Sequence, residues 1–252
     1  MLLSLVFTHS DLAAQQAVIE VLTESTPFTR PDPLIEHRGE ATIFVKHVLG
    51  RANIGYNISY VPWKRSYQYG LTTKNILIYP IARTQKRENK FIWVGKIIPV
   101  NYFLFRLKRR NDINLENIEQ AKSYSIGVVN HHAHHEYLES EGFTDFEPVN
   151  SSAQNLRKLL LGRIDLFPLS SGGLEPLCKQ LNVNCDQIVP AIALDNFSDG
   201  LYMAFSKQSN RETVERVQNA YNQLYRQTDY KTLFAHRLAA AKKIESEQQS
   251  VD

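Results

Sequence analysis

The chain has 252 residues, 43% of them hydrophobic and 22% charged, enough to bury a sizeable core as one large domain or two modest lobes. A formal net charge of +3 is too small to signal nucleic acid, and the longest basic run, Lys108-Arg109-Arg110, reads as a solvated face. No stretch reaches the ~18 apolar residues that a bilayer-spanning helix requires.

In chain order, the first feature is a short apolar run, Leu2 to Phe7, followed by polar residues and then Leu12-Ala13-Ala14. Residues 1–14 read as a secretory signal lacking its basic front end, so that the mature, exported chain would begin near Gln15 or Gln16. A buried first helix or strand is the alternative. Residues 17–23 (AVIEVLT) then read as a buried strand. Residues 41–52 carry Ile43, Val45, Val48 and Leu49 in a near-helical stripe. YNISYV (56–61) alternates like a strand, and Pro62 stands at the first position of a helix. NILIYPIA (75–82) is a second buried strand. Residues 90–107 are long for one strand and read as two joined at Pro99.

The same grammar restarts beyond Arg110. NLENIEQA predicts a helix capped by Asn114 with Glu116 in its first turn. Strand 124–129, helix AHHEYLESEG, strand DFEPV, helix SAQNLRKLLLG and strand 164–169 follow, with Gly142 and Gly162 where helix C-termini favour glycine. A strand over 200–207 and two helices, the second KTLFAHRLAAAKKIESEQ, finish the chain. Strand–helix alternation predicts α/β layers with mostly parallel sheets. Two lobes would be bridged by extended segments at Lys96–Phe105 and Leu201–Ser206.

Cys178 and Cys185 are the only cysteines. Their even count and short spacing suit a small surface disulfide in an exported protein. Two free thiols are the alternative, since the spacing matches no zinc-site pattern.

The run VPWKRSYQYG … NILIYPIARTQKRENKFIWVGKI resembles the first lobe of the type II periplasmic solute-binding proteins, in the branch of the amino-acid-binding receptors of ABC transporters (family 3-like). Thr84-Gln85-Lys86-Arg87 matches that branch's Thr-x-x-Arg turn, and Phe91-Ile92-Trp93-Val94 its following aromatic strand. YSIGVVNHHAHHEYL and LRKLLLGRIDLFPLS match the second lobe, so the resemblance spans roughly Val18 to Lys207. It implies a two-lobed α/β fold with two hinge strands, lobe 1 being residues 15–100 plus 206–252 and lobe 2 residues 101–205. It also implies that Arg87 takes a ligand carboxylate, which its planar fork suits through charge-assisted hydrogen bonds. Thr84 would fix the turn or donate from its hydroxyl, and Arg83 would add positive charge. A salt bridge within the lobe is the alternative role for Arg87.

Departures from the pattern redirect the ligand. Pro80 and Ala82 replace small hydroxyl residues before the turn, and Ser170 stands where the branch places an aspartate for an ammonium group. The helix entry reads His131-His132-Ala133. These changes point from a standard amino acid to another small anion, although Glu175 or Asp195 could substitute for the missing acid. Trp63 and Phe28 are candidate aromatic walls of the pocket, with packing as the alternative. In NHHAHHEY, His131, His132, His134, His135 and Glu136 collect potential metal ligands, and His131 and His135 share a helical face. Without a second ligand segment, cleft lining plus a solvated face is the better account.

The expected function is therefore an exported, monomeric, cofactor-free binding protein. It would capture a small anionic solute between its lobes, close by hinge bending, and serve a membrane permease. A ligand sensor feeding a membrane signalling partner is the alternative. A dehydratase on the same fold is a weaker one, since Glu88 and Glu175 are the only acids expected near the cleft.

Overall fold

The computed structural model describes residues 18–26, 28–30, 39–130 and 132–226. The signal segment, Pro27, His131 and the final helix expected over 231–248 lie outside the described residues. The first lobe runs β1 (Val18–Thr23), α1 (Glu40–Arg51), β2 (Gly55–Tyr60), α2 (Trp63–Thr72), β3 (Ile76–Ala82), a four-residue α3 (Gln85–Glu88) and β4 (Phe91–Pro99). The second runs β5 (Tyr102–Leu107), β6 (Ile126–Val129), α4 (Ala133–Ser140), β7 (Phe146–Val149), α5 (Ser152–Leu160), β8 (Phe167–Ser170), α6 (Leu174–Leu181) and β9 (Ile188–Ala193). The chain then returns as β10 (Gly200–Ser206) and α7 (Arg211–Tyr225).

The first sheet has the order β2-β1-β3-β10-β4. In the second lobe β8-β5-β9 form one sheet and β6-β7 another, and a parallel bridge from Ile126 to Leu166 sets β6 beside the entrance to β8. Parallel pairing joins β1 to β2, β1 to β3 and β6 to β7. Every antiparallel pairing is made by β5 or β10, the two strands that enter a lobe just after a crossing. The first sheet is thus mixed, β8-β5-β9 is antiparallel and β6-β7 is parallel.

β10 pairs with β3 and β4 from Gly200 to Ser206, so residues 200–205 belong with the first sheet and not the second lobe. Residues 194–199 lead from β9 into β10. Val100-Asn101 lead from β4 into β5, just past Pro99.

Burial explains why these stretches took these forms. Ile76, Leu77, Ile78, Tyr79, Ile81 and Ala82 are all buried, as a strand covered on both faces requires. Pro80 cannot donate to a ladder, and the β3–β10 register shifts between Ile78 and Ile81. Helix α1 buries Ala41, Phe44, Val45, Val48 and Leu49, each large apolar side chain contributing about 1.5–3 kcal/mol. Helix α7 lies against β4, where the Tyr221 ring covers Gly95 so closely that a Cβ there would stand 2.0 Å from the ring. Tyr221 Oη donates to the Lys96 carbonyl at 2.8 Å and Gln218 Nε2 to that of Trp93 at 2.9 Å.

Gly142 (φ 83°) and Gly162 (φ 67°) end α4 and α5 in the left-handed region. The next N–H groups return to the helices, Phe143 to Leu138 and Arg163 to Lys158, both at about 3 Å. Local punctuation was less accurate elsewhere. Pro62 caps α2 from one residue outside it. The predicted NLENIEQA helix is a 3₁₀ segment, Ile118–Ser123, capped by Asn117 rather than Asn114. Cys178 and Cys185 are joined by a disulfide with Cα atoms 5.7 Å apart, fastening the end of α6 to the turn before β9.

Candidate functional site

Strand β3 ends at Ala82, and the chain turns at once into α3. The Thr84 carbonyl accepts from the Arg87 N–H at 2.9 Å, closing the turn. Arg87 is the largest fully buried side chain, 1% exposed. Its Nη2 and Nε donate at 3.0 and 3.2 Å to a single carboxylate oxygen, Oε2 of Glu136, in the first turn of α4. The Lys86 ammonium donates to the Glu136 backbone carbonyl at 2.8 Å, a second tie between the same two elements. The ion pair therefore spans the lobes rather than lying within one.

Two aromatic rings support the guanidinium. Trp63 and Tyr67 stand four apart on α2 and so share a face, placing their ring centres 5.7 and 4.8 Å from the Arg87 carbon. The row continues through Phe91, Trp93 and Tyr202 with successive centroids 5.6–5.8 Å apart. Tyr67 Oη and Thr84 Oγ1 are buried without a hydrogen-bond partner. An orphaned hydroxyl costs free energy unless something supplies the missing bond.

Across the cleft, His134 packs between Tyr102 (5.1 Å) and Phe197 (5.0 Å), and His132 stacks at 6.5 Å from His134. Burial and the nearby Arg87 charge push His132 down to about 4. Burial, His132 and Arg87 push His134 down to about 3, so both rings are neutral at pH 7. His134 Nε2 is a further buried atom with no partner.

The other sequence candidates fall in different places. Arg83 binds Glu88 bidentately (2.5 and 2.8 Å) and lies over Trp93 and Tyr202. With Thr84, Asp195, Asp199 and others it lines an open, polar cleft of about 370 Å³ that Arg87 does not border. Ser170 is buried at the end of β8, opposite Tyr102 in the ladder, and Phe28 packs against a core cluster that includes residues of both lobes. His135 lies against Phe146 at 4.9 Å, with its Nε2 3.5 Å from Glu139. Among the described residues no group of three or more His, Cys, Asp or Glu is arranged to hold a metal ion. Glu136 drew notice in the sequence only as a possible metal ligand. Tyr67 and Tyr102 carried no signal there beyond being aromatic.

No protein-family model matches the chain, and no curated protein matches it in sequence. Solved structures do match. A histidine kinase sensor domain with similarity to periplasmic binding proteins superposes with a TM-score of 0.74 at 14% identity, over 88% of this chain and 96% of that one. An ancestral arginine-binding protein bound to arginine gives 0.70 at 15% identity, over 88% and 98%. An ancestral amino acid-binding protein, described as a precursor of cyclohexadienyl dehydratase, gives 0.65 at 15% identity, over 87% and 95%. Identities this low establish shape, and the shape is that of the two-lobed α/β fold of periplasmic amino acid-binding proteins.

Proposed function

We propose that the protein is an exported solute-binding protein that takes a small carboxylate-bearing solute at Arg87, between its lobes, and delivers it to a membrane permease. One observation carries the reading: a fully buried arginine fork grips a carboxylate supplied from the opposite lobe. A site already shaped to desolvate and hold one carboxylate suits another, because the planar donors keep their geometry. In this reading the first lobe is built on β1–β4 and β10 and the second on β5–β9, with 100–101 and 194–199 as hinges. The chain acts as a monomer and needs no cofactor. The arginine-bound neighbour supports a solute of this class. Engagement of Glu88 and Glu136 by arginines supports binding over catalysis, since neither is a free general acid. The disulfide supports export to an oxidising compartment. No helix among the described residues is long and apolar enough to cross a membrane.

The sensor-domain neighbour favours a second reading, in which the same closure feeds a membrane signalling partner. A thermal-shift screen against amino acids, small carboxylates, polyamines, sugars and divalent metals tests the shared core of both. A solute at 100 times its Kd adds about 2.7 kcal/mol of stability. A carboxylate hit that Arg87→Ala abolishes is the expected result. Hits confined to sugars or metals would overturn the assignment of Arg87.

A further inference from the structure

We propose that Arg87 and Glu136 form a latch that holds the two lobes closed with the chain's own residues, so that closure does not wait for a solute. The latch is a property of the chain itself and stands whether or not Arg87 receives a solute.

Each half of the latch is fixed to its own lobe. On the first, Trp93 Nε1 donates to the Glu88 carbonyl at 3.0 Å and so ties α3 to β4. The Arg87 N–H closes on the Thr84 carbonyl at 2.9 Å, and the guanidinium lies against Trp63 and Tyr67 of α2. On the second, the Glu136 N–H donates to the His132 carbonyl at 3.1 Å, and Leu138 buries α4 in the core. Neither half can shift far without dragging its lobe along.

The bond between the halves is of the strong kind. Nη2 and Nε of Arg87 meet one carboxylate oxygen of Glu136 at 3.0 and 3.2 Å. Charge-assisted hydrogen bonds are about twice as strong as neutral ones. Burying two charges also costs hydration, and that cost can cancel the attraction. Here it is limited. Arg87 rests on two rings of its own lobe, and Glu136 keeps 27% of its side chain exposed, so closure removes only part of the water from either charge. Lys86, an exposed residue, adds a second tie to the Glu136 carbonyl at 2.8 Å. Behind the latch, Phe197 of the 194–199 connection packs on Tyr102, His134 and Tyr137, with ring centres 4.6, 5.0 and 5.3 Å away. The connection between the lobes is thus seated on the helix that carries Glu136.

Two consequences follow from a closed resting state. Any occupant of Arg87 must first open the latch, and its apparent affinity falls with the fraction of chains that are open. A partner that recognises the closed shape would meet it without a solute.

Spin labels on Gln68→Cys in α2 and Thr144→Cys beyond α4, both exposed positions, report the lobe separation by double electron–electron resonance. The native cysteines are bonded to each other and stay unlabelled. The protein is dialysed in denaturant and refolded to strip any carried solute, and none is added. The wild type should give one narrow distance. Glu136→Gln keeps an acceptor without the charge and should raise the open-to-closed ratio about 5-fold or more, adding a longer distance. Arg87→Ala should move most chains to that longer distance. The double variant Arg87→Ala/Glu136→Ala should open no further, because both changes break one bond. A circular dichroism melt verifies that each variant is folded, and Glu136→Gln carries the test if Arg87→Ala is not. A wild type spread over long distances, or variants that keep the wild-type distance, overturns the latch. Opening of the double variant well beyond Arg87→Ala would also overturn it. Because no solute enters the experiment, a failed latch leaves the solute site at Arg87 to be judged by the thermal-shift screen alone.

Discussion

Arg83 and Arg87 stand four residues apart around one turn, carry the same charge, and meet opposite surroundings. Arg83 pairs with Glu88 five residues along, and both side chains are substantially exposed, at 39% and 44%. Arg87 pairs with Glu136, 49 residues along and in the other lobe, and is 1% exposed. Water screens the first pair and holds little of the second. Position on a turn therefore says less about an arginine's role than what closes over it does.

The largest break in this comparison should come from Arg87→Ala. It strips a buried pair of one partner and leaves Glu136 at 27% exposure without its cation. Denaturant melts should show a loss of about 3 kcal/mol, the low end for buried pairs because Glu136 keeps some water. A loss no larger than that of the Arg83 variant would erase the distinction between the two residues.

The next effect concerns the neutral histidines facing Arg87. An unfolded histidine takes up a proton below its ordinary value of 6.5, whereas folded His134 does so only near 3. Between those values the unfolded chain binds more protons, so stability falls as pH falls. At pH 5 the deficit is about 2 kcal/mol for this residue, from about 1.4 kcal/mol per pH unit. His134→Phe, which keeps the packing against Tyr102 and Phe197, should lessen the slope of the stability–pH curve between 6.5 and 5, His132 keeping its own share. An unchanged slope would place the titration elsewhere.

Arg83→Ala should cost at most about 1 kcal/mol and less in high salt, as exposed pairs do. Smallest of all, Tyr67→Phe removes a buried hydroxyl that has no partner, so the free protein's unfolding free energy should hold within about 0.5 kcal/mol or rise slightly. A larger loss would mean that the hydroxyl is already bonded in the free protein.

Much of the fold was legible because it was written locally. Buried strands such as β3 are continuous apolar runs, α1 carries a helical stripe, and Gly142 and Gly162 mark helix ends by backbone conformation alone. Elements between Ser171 and Ala193 were harder. Helix α6 contains Pro176 in its first turn and β9 contains Pro190, so both interrupt the usual patterns although the fold tolerates them. The geometry of the candidate site was half legible. The Thr84–Arg87 turn has a recognisable spacing, but nothing local separates Arg83 from Arg87. The partnership with Glu136 exists only once the lobes meet. Glu136 stood among four nearby histidines, which drew the eye toward metal chemistry and away from its pairing with an arginine.

The place of β10 between β3 and β4 sets a timetable for the newborn chain. Gly200 is the partner of Pro99, so β4 has no neighbour in its sheet until about a hundred further residues have been made. At about 5–20 residues per second, that strand waits some 5–20 s on the ribosome with its edge unpaired. The first sheet cannot close until β10 has been made, however favourable its own core. A chain destined to be threaded through a translocation channel gains from such a delay, and one made in the cytosol would depend on chaperones to survive it.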